Sequence, residues 1–278
     1  MDDDALFSQV SMYTCETMHK IRELAHQHQH QHQHIIPYSK KTQNNNNTFN
    51  ILFFDTETTG LIPRGNLNAT TVSLFPHIVQ LAYLVYNVES GRIVLANNHI
   101  IKVGPDVEIT PGSELVHGIS AAKCSAEGIP IHIAMAQFTD ACRMAPFGII
   151  CHNTDFDTKL IRAEFLRLRQ TRDTKKNMEY FLNRLPTMYC TMKNTTEFCQ
   201  LPHLRECFKN KKDSGDNYKW PKLDELHFKL FGEKPRNLHD AMNDVIITVR
   251  CFMKYYYDYD VSKQMVFNLL LKPLIHDL

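Results

Sequence analysis

The stretch Ile51–Gly60, ILFFDTETTG, sets an apolar run directly against two acids. Ile51 to Phe54 read as a buried strand. Asp55 and Glu57 follow two residues apart, so their side chains share one face at a spacing of about 6.6 Å. Neighbouring carboxylates repel, and burial disfavours their charged forms. Thr58, Thr59 and Gly60 then break the strand. Two acids at one spacing are weak evidence by themselves, and the rest of the chain decides what they are for.

Two more stretches place acids beside apolar elements. In CHNTDFDTKLIRAEF (151–165) a short strand ends and Asp155 and Asp157 open a helix. Asp155 has an ordinary explanation as a cap or a partner for the helix dipole. Asp157 precedes the apolar stripe Leu160, Ile161, Phe165 and Leu168, which puts it near the inward side, next to the strand ends. In NLHDAMNDVIITVRCF (237–252) Asn237 is expected to cap a helix with Asp240 as its N3 acid. Asp244 has no such role. Ala241, Val245, Ile247, Thr248 and Cys251 line the face near it, so it projects toward the sheet. A buried, unpaired carboxylate is costly and needs a cation. His239 stands five positions earlier, about 140° around a helix axis, and is expected at the rim of the same site. A neutral imidazole there takes a proton from water, although a lone helix-start histidine is more often structural. Oxygen ligands without cysteine or clustered histidine suit Mg²⁺ or Mn²⁺. Two such ions about 3.5–4 Å apart hold the attacking and leaving oxygens of a phosphodiester.

Composition bounds the rest. The 278 residues are 43% hydrophobic, enough for a sizeable core. No apolar run approaches the roughly 18 residues of a membrane span, and the acidic start MDDDALFSQV is unlike a secretory signal. The expectation is an intracellular protein, cytoplasmic or nuclear, with no membrane partner. The eight cysteines (15, 124, 142, 151, 190, 199, 207, 251) include no Cys-x-x-Cys pair, which argues against a zinc ribbon or redox motif. Net charge is +1. Basic residues do cluster at 159–176 and at Lys209, Lys211 and Lys212; either cluster alone is more simply a solvated face than a phosphate track.

Residues 1–48 differ from the rest. Leu6, Val10, Tyr13, Thr17, Ile21 and Leu24 fall on one helix face, so a helix that docks on its own domain or on a protein partner is expected. HQHQHQHQH (26–34) and NNNN (44–47) read as linker, with metal binding by the histidines as the sharper alternative. Ordered sequence begins near 48, with strands at 49–55, 78–88 and 92–103 in a meander, helices at 120–126 and 131–144, a strand at 147–153, a helix at 156–172, a strand at 188–192, and helices at 222–231, 238–257 and 262–271. The division is a tail (1–48), a main domain (49–260) and a C-terminal helical extension (261–278). Residues 62–75 and KKDSGDNYKWPKL (211–223) read as loops. Trp220 in the second is expected to pack.

FDTETTG (54–60), HNTDFD (152–157) and HDAMND (239–244), in that order, resemble the three exonuclease motifs of the DEDD superfamily. The resemblance spans about 49–258. It implies an α/β, ribonuclease H-like fold, a five-stranded mixed sheet flanked by helices on both faces. It also implies 3′→5′ removal of nucleotides with two divalent ions, Mg²⁺ or Mn²⁺. The tyrosine branch has Tyr four residues before its last Asp, where this chain has Asp240. The histidine branch has His five before, where this chain has His239. The chain is therefore similar to polymerase proofreading subunits and stand-alone DNA-repair exonucleases. By that resemblance Asp55 bridges both ions, Glu57 and Asp244 complete the first site, Asp157 serves the second, and His239 is the general base. Thr58, Leu61 and Asn153 fall at positions that contact the terminal nucleotide. The family usually has a small or apolar residue where Asp155 stands, so this extra acid either repels phosphate or only caps its helix. Three functions fit: an exonuclease on DNA 3′ ends, an exoribonuclease on RNA ends, and an inactive nucleic-acid-binding or recruiting module. The intact set of four acids and a histidine argues against the last.

Overall fold

The computed structural model describes residues 49–168, 176–177, 180, 188–203 and 218–275. The N-terminal helix, the His/Gln and Asn tracts, and Lys209, Lys211 and Lys212 lie outside the described residues, as do Arg169, Arg172 and Lys175.

Strand β1 (Asn50–Thr58) organises everything else. Its side chains alternate faces. Ile51 and Phe53 enter one core, and Leu52 and Phe54 enter the other. β1 pairs antiparallel with β2 (Ile78–Asn87), which pairs antiparallel with β3 (Arg92–Lys102). On its other edge β1 pairs in parallel with β5 (Gly148–Cys151), and β5 in parallel with β6 (Met188–Cys190). Helices α1 (Pro111–His117), α2 (Ala121–Glu127) and α3 (Ile131–Arg143) follow β3, with the two-residue strand β4 (Ile129–Pro130) between the last two. Next come α4 (Thr154–Arg167), the single turns α5 (Thr191–Asn194) and α6 (Thr196–Cys199), α7 (Leu223–Phe231), α8 (Ala241–Tyr257) and α9 (Met265–Leu271).

The sheet order is β4-β3-β2-β1-β5-β6. The expected five strands are thus six among the described residues. β4 is the addition, and a two-residue strand is too short to leave a periodic pattern. α3 and α4 cover one face through Phe138, Ala141, Leu160, Ile161 and Phe165. α8 crosses the other, where Phe252 meets Phe53 and Tyr189 edge-on at centroid distances of 5.5 and 5.8 Å. The C-terminal residues Val261, Phe267, Leu271, Leu274 and Ile275 enter this second core. β1, β5 and β6 run parallel, so their carboxyl ends share one edge, the usual place for a crevice in such sheets. No helix among the described residues is long and apolar enough to cross a membrane.

Gly128 lets α2 hand over to β4. A Cβ there would lie 2.2 Å from the Cys124 carbonyl oxygen and 2.5 Å from the Lys102 amide nitrogen. Only a residue without a side chain lets the backbone pass β3 this closely. Gly128→Ala is expected to cost about 2 kcal/mol and lower Tm by about 4–8 °C. An unchanged thermal melt would show that this edge is not held so closely.

Candidate active site

The alternation of β1 decides where its acids point. Asp55 and Glu57 continue the face of Ile51 and Phe53, toward α8. Thr56 and Thr58 continue the face of Leu52 and Phe54, toward α4. β5 pairs with β1 only as far as Phe53. The Thr56 amide therefore has no strand partner on that side, and Asp157 supplies one. Its Oδ1 accepts from Thr56 N at 3.1 Å and from Thr56 Oγ1 at 2.7 Å. Asp157, in the first turn of α4, is buried. One oxygen extends the sheet, and Oδ2 is left for another partner.

Helix α8 starts later than the sequence suggested. Asp240, not Asn237, is its N-cap; Asp240 Oδ1 accepts from Met242 N and Asn243 N. Asn237 and His239 instead take left-handed backbone, at φ 53° and 70°. Such a conformation costs a non-glycine residue on the order of 1–2 kcal/mol. His239 is held there by its own amide, which donates to both Asp244 carboxylate oxygens at 3.3 Å. The helical angle between His239 and Asp244 therefore does not apply. One ligand atom each from Glu57, His239 and Asp244 lies within 4.8 Å of the others. Those three converge on one point rather than meeting at a rim.

Gln80 was not anticipated. It is buried, faces Glu57 across the β1–β2 ladder, and points to the α8 side. Its Nε2 donates to Asp240 Oδ2 and to Asn98 Oδ1, both at 2.9 Å, and its Oε1 accepts from Ala241 N at 3.1 Å. The amide thus ties the N-terminus of α8 to the strand beside Glu57. The signal was present: an amide within the otherwise apolar run IVQLAYLV.

The electrostatics are those of crowded acids. Desolvation is the largest cause in each case, and mutual repulsion adds to it. Asp55 is raised well above the usual carboxylate range, and the charges acting most on it are Asp157, Asp244, Glu57 and Asp240. Glu57 is pushed up to about 8 by burial and then by Asp244, Asp157 and Asp240. Burial raises Asp157 to about 7 against the lowering effect of its Thr56 bonds. Burial likewise raises Asp244 to about 7 against the His239 amide. This donor set, carboxylate oxygens with one imidazole, fits a divalent cation: the charge that raises the pKa values is the charge a cation would neutralise.

The other anticipated residues have local partners of their own or face solvent. Thr58 Oγ1 donates to the Gly60 carbonyl at 2.8 Å. The Thr58 carbonyl is 3.1 Å from Nε2 of His117, whose Nδ1 accepts from Ile119 N, so Nε2 is the protonated nitrogen. Leu61 is 88% exposed. Asn153 sits in left-handed backbone at the start of α4 and makes no side-chain cap bond. Asp155 is neutralised by Lys193, Nζ to Oδ2 2.6 Å. Trp220 is 51% exposed, contrary to the expectation that it packs.

Fold and site together define a ribonuclease H-like α/β domain with an acidic cluster at the carboxyl edge of its sheet. The sequence profile of the family described as Exonuclease (RNase_T) matches residues 52–252, and the chain belongs to that family. Among solved structures, E. coli exonuclease I in complex with a dT13 oligonucleotide is similar, with TM-score 0.52 and 20% identity over 80% of this chain and 43% of that one. The zinc-bound form of the E. coli exonuclease I–ssDNA complex matches with TM-score 0.53 and 20% identity, over 76% and 42%. At this identity they establish the shared fold, and the chain spans less than half the length of either. No curated protein sequence matches.

Two outcomes follow from this geometry. The four acids favour the folded state while protonated; without metal the contribution of Glu57, Asp157 and Asp244 is present below about pH 4 and is lost as pH rises through about 7–8, and that of Asp55 has the same sign. The gain in Tm on adding Mg²⁺ should therefore grow from pH 5.5 to 8, and Asp244→Asn should flatten that growth; a gain independent of pH would contradict the site. Gln80→Leu should leave the fold intact but weaken Mg²⁺ binding by about tenfold, the usual scale for a group that orients metal ligands. Calorimetric titration against the wild type checks this.

Proposed function

We propose that the chain is a 3′→5′ exonuclease that hydrolyses the terminal phosphodiester of a DNA strand. The observation that carries this reading is the convergence of Glu57, His239 and Asp244 beside Asp55 and Asp157 in a member of the exonuclease family. The E. coli exonuclease I structures of the same fold are complexes with single-stranded DNA, which favours DNA as substrate.

Asp55, Glu57 and Asp244 would hold one divalent ion, with Asp55 and the free Oδ2 of Asp157 holding a second. Bound Mg²⁺ or Mn²⁺ supplies Lewis-acid stabilisation of the charged phosphate and lowers the pKa of water. His239 is exposed, so its imidazole can take the proton of the attacking water and pass it to solvent. The water oxygen bonds to phosphorus as the bond to the 3′ oxygen of the preceding nucleotide breaks; that oxygen takes a proton from solvent to become the new 3′-hydroxyl, and a 5′-mononucleotide is released. Thr58, Leu61 and Asn153 would receive the terminal nucleotide. Exposed Leu61 offers its apolar side chain to a base or sugar.

The test uses 5′-labelled DNA and RNA oligomers, single and double stranded, with Mg²⁺. The expected product is a ladder shortened stepwise from the 3′ end of DNA, abolished by EDTA and by Asp55→Ala. His239→Ala should lower the rate by about 10²-fold, the usual contribution of a general base. Full activity in Asp55→Ala would sink the mechanism, and faster loss from RNA would reassign the substrate.

A further inference from the structure

We propose that Trp220 and Lys193 form a subsite for the single strand leading into the active site, with the indole stacking on a base upstream of the 3′ terminus and the ammonium meeting its backbone. The subsite deepens the exonuclease reading and rests on it.

Trp220 is the sole tryptophan of the chain, and half of its surface is in water. Its backbone is pinned on both sides. Lys219 N donates to the Leu201 carbonyl at 3.0 Å. The Pro221 carbonyl lies 3.0 Å from His152 Nε2. A carbonyl only accepts, so Nε2 carries the proton and Nδ1 accepts from Thr191 Oγ1 at 2.9 Å. Burial lowers His152 to about 4, so this staple stays neutral and intact across the physiological range. A half-exposed indole on a fixed frame is prepared for a flat partner, because the ordering cost is already met.

Its neighbours match a nucleic-acid strand. Lys193 Nζ lies 5.7 Å from the indole centroid. One of its three N–H donors goes to Asp155, and the others are available to a phosphate. The same ion pair offsets the charge of Asp155, which would otherwise repel a phosphate. An aromatic face beside a cation is how sequence-tolerant sites take single strands, the base stacking and the backbone meeting the charge.

Topology places the pair on the path. Lys193 follows the carboxyl end of β6, and His152 follows that of β5, both on the edge that holds the acids. Two strand spacings separate β6 from β1, about 10 Å. Asp155 joins the two places directly, two residues before Asp157 and in contact with Lys193.

The single tryptophan makes the test local. With Ca²⁺ in place of Mg²⁺, titrating the full chain with a single-stranded octanucleotide should quench its tryptophan emission, and a dinucleotide should not. With Mg²⁺, lengthening the substrate from two to eight nucleotides should lower KM, and Trp220→Ala should remove about tenfold of that gain while Trp220→Phe keeps most of it. The proposal is overturned if the octanucleotide is cleaved normally while the emission is unchanged at saturation, or if Trp220→Ala shows the wild-type length dependence. If no oligomer is cleaved, the exonuclease reading fails by itself, and quenching by the octanucleotide still decides whether the subsite exists.

Discussion

Like charge gathered at the end of one strand is the constraint on which this structure turns. At about 5 Å and an effective dielectric near 20, two carboxylates repel by about 3 kcal/mol. A single capping bond contributes about 1 kcal/mol, so no one local contact can hold the group together. Buried Arg250 and half-buried Arg167 do not help. Arg167 serves Glu164 and the carbonyls of Val72, Phe75 and Pro76. Arg250 serves Asp260 and Glu233 and lies over the Phe231 ring. These two guanidinium groups are committed elsewhere, and the acids are left to bind protons or a cation.

The rigidity that holds them comes from the sheet, through two polar ties on opposite faces of β1. On the α4 face Asp157 completes a ladder that β5 leaves unfinished. On the α8 face Gln80 fixes Asp240 and the first amide of α8. Each tie uses one side-chain group to satisfy two or three polar partners, among them the buried Thr56 and the buried Ala241 amide. Orphaning any of these would cost more than the bond contributes. Helices and strands therefore cannot drift apart to relieve the repulsion without exposing unpaired groups.

Much of this was legible in the sequence, for reasons that also mark where reading stopped. Apolar runs exposed β1 and β2, which are buried on both faces, and helical periodicity exposed α3 and α8, which bury a broad face. α1 went unread although Thr110, Pro111 and Gly118 are an ordered set of start and stop signals. It buries no residue of its own, so it has no apolar period. β4 went unread because it is a consequence of Gly128 lying against β3, a contact distant in sequence. In the site, the acids were visible as residues without a structural role. Thr56 and Gln80 were not, since their importance lies in the partners they find across 101 and 160 residues of chain. Trp220 was misjudged because its type usually packs, and only the folded environment shows its ring in water.

The position of His239 carries the argument furthest. Inside a helix, its direction would be fixed by helical phase, and it would face away from Asp244. The chain instead delays the helix until Asp240 and turns His239 through left-handed backbone, a strain matched by the bond from its amide to Asp244. The group proposed to receive a proton is thereby tied through its own backbone to a carboxylate proposed to hold a metal. Protonating Asp244 weakens that bond, since a neutral carboxyl is a poorer acceptor than a carboxylate. The strain at His239 then loses its compensation. The ionised site is therefore also the one that presents the imidazole, so the condition that would admit a cation also sets His239 beside it.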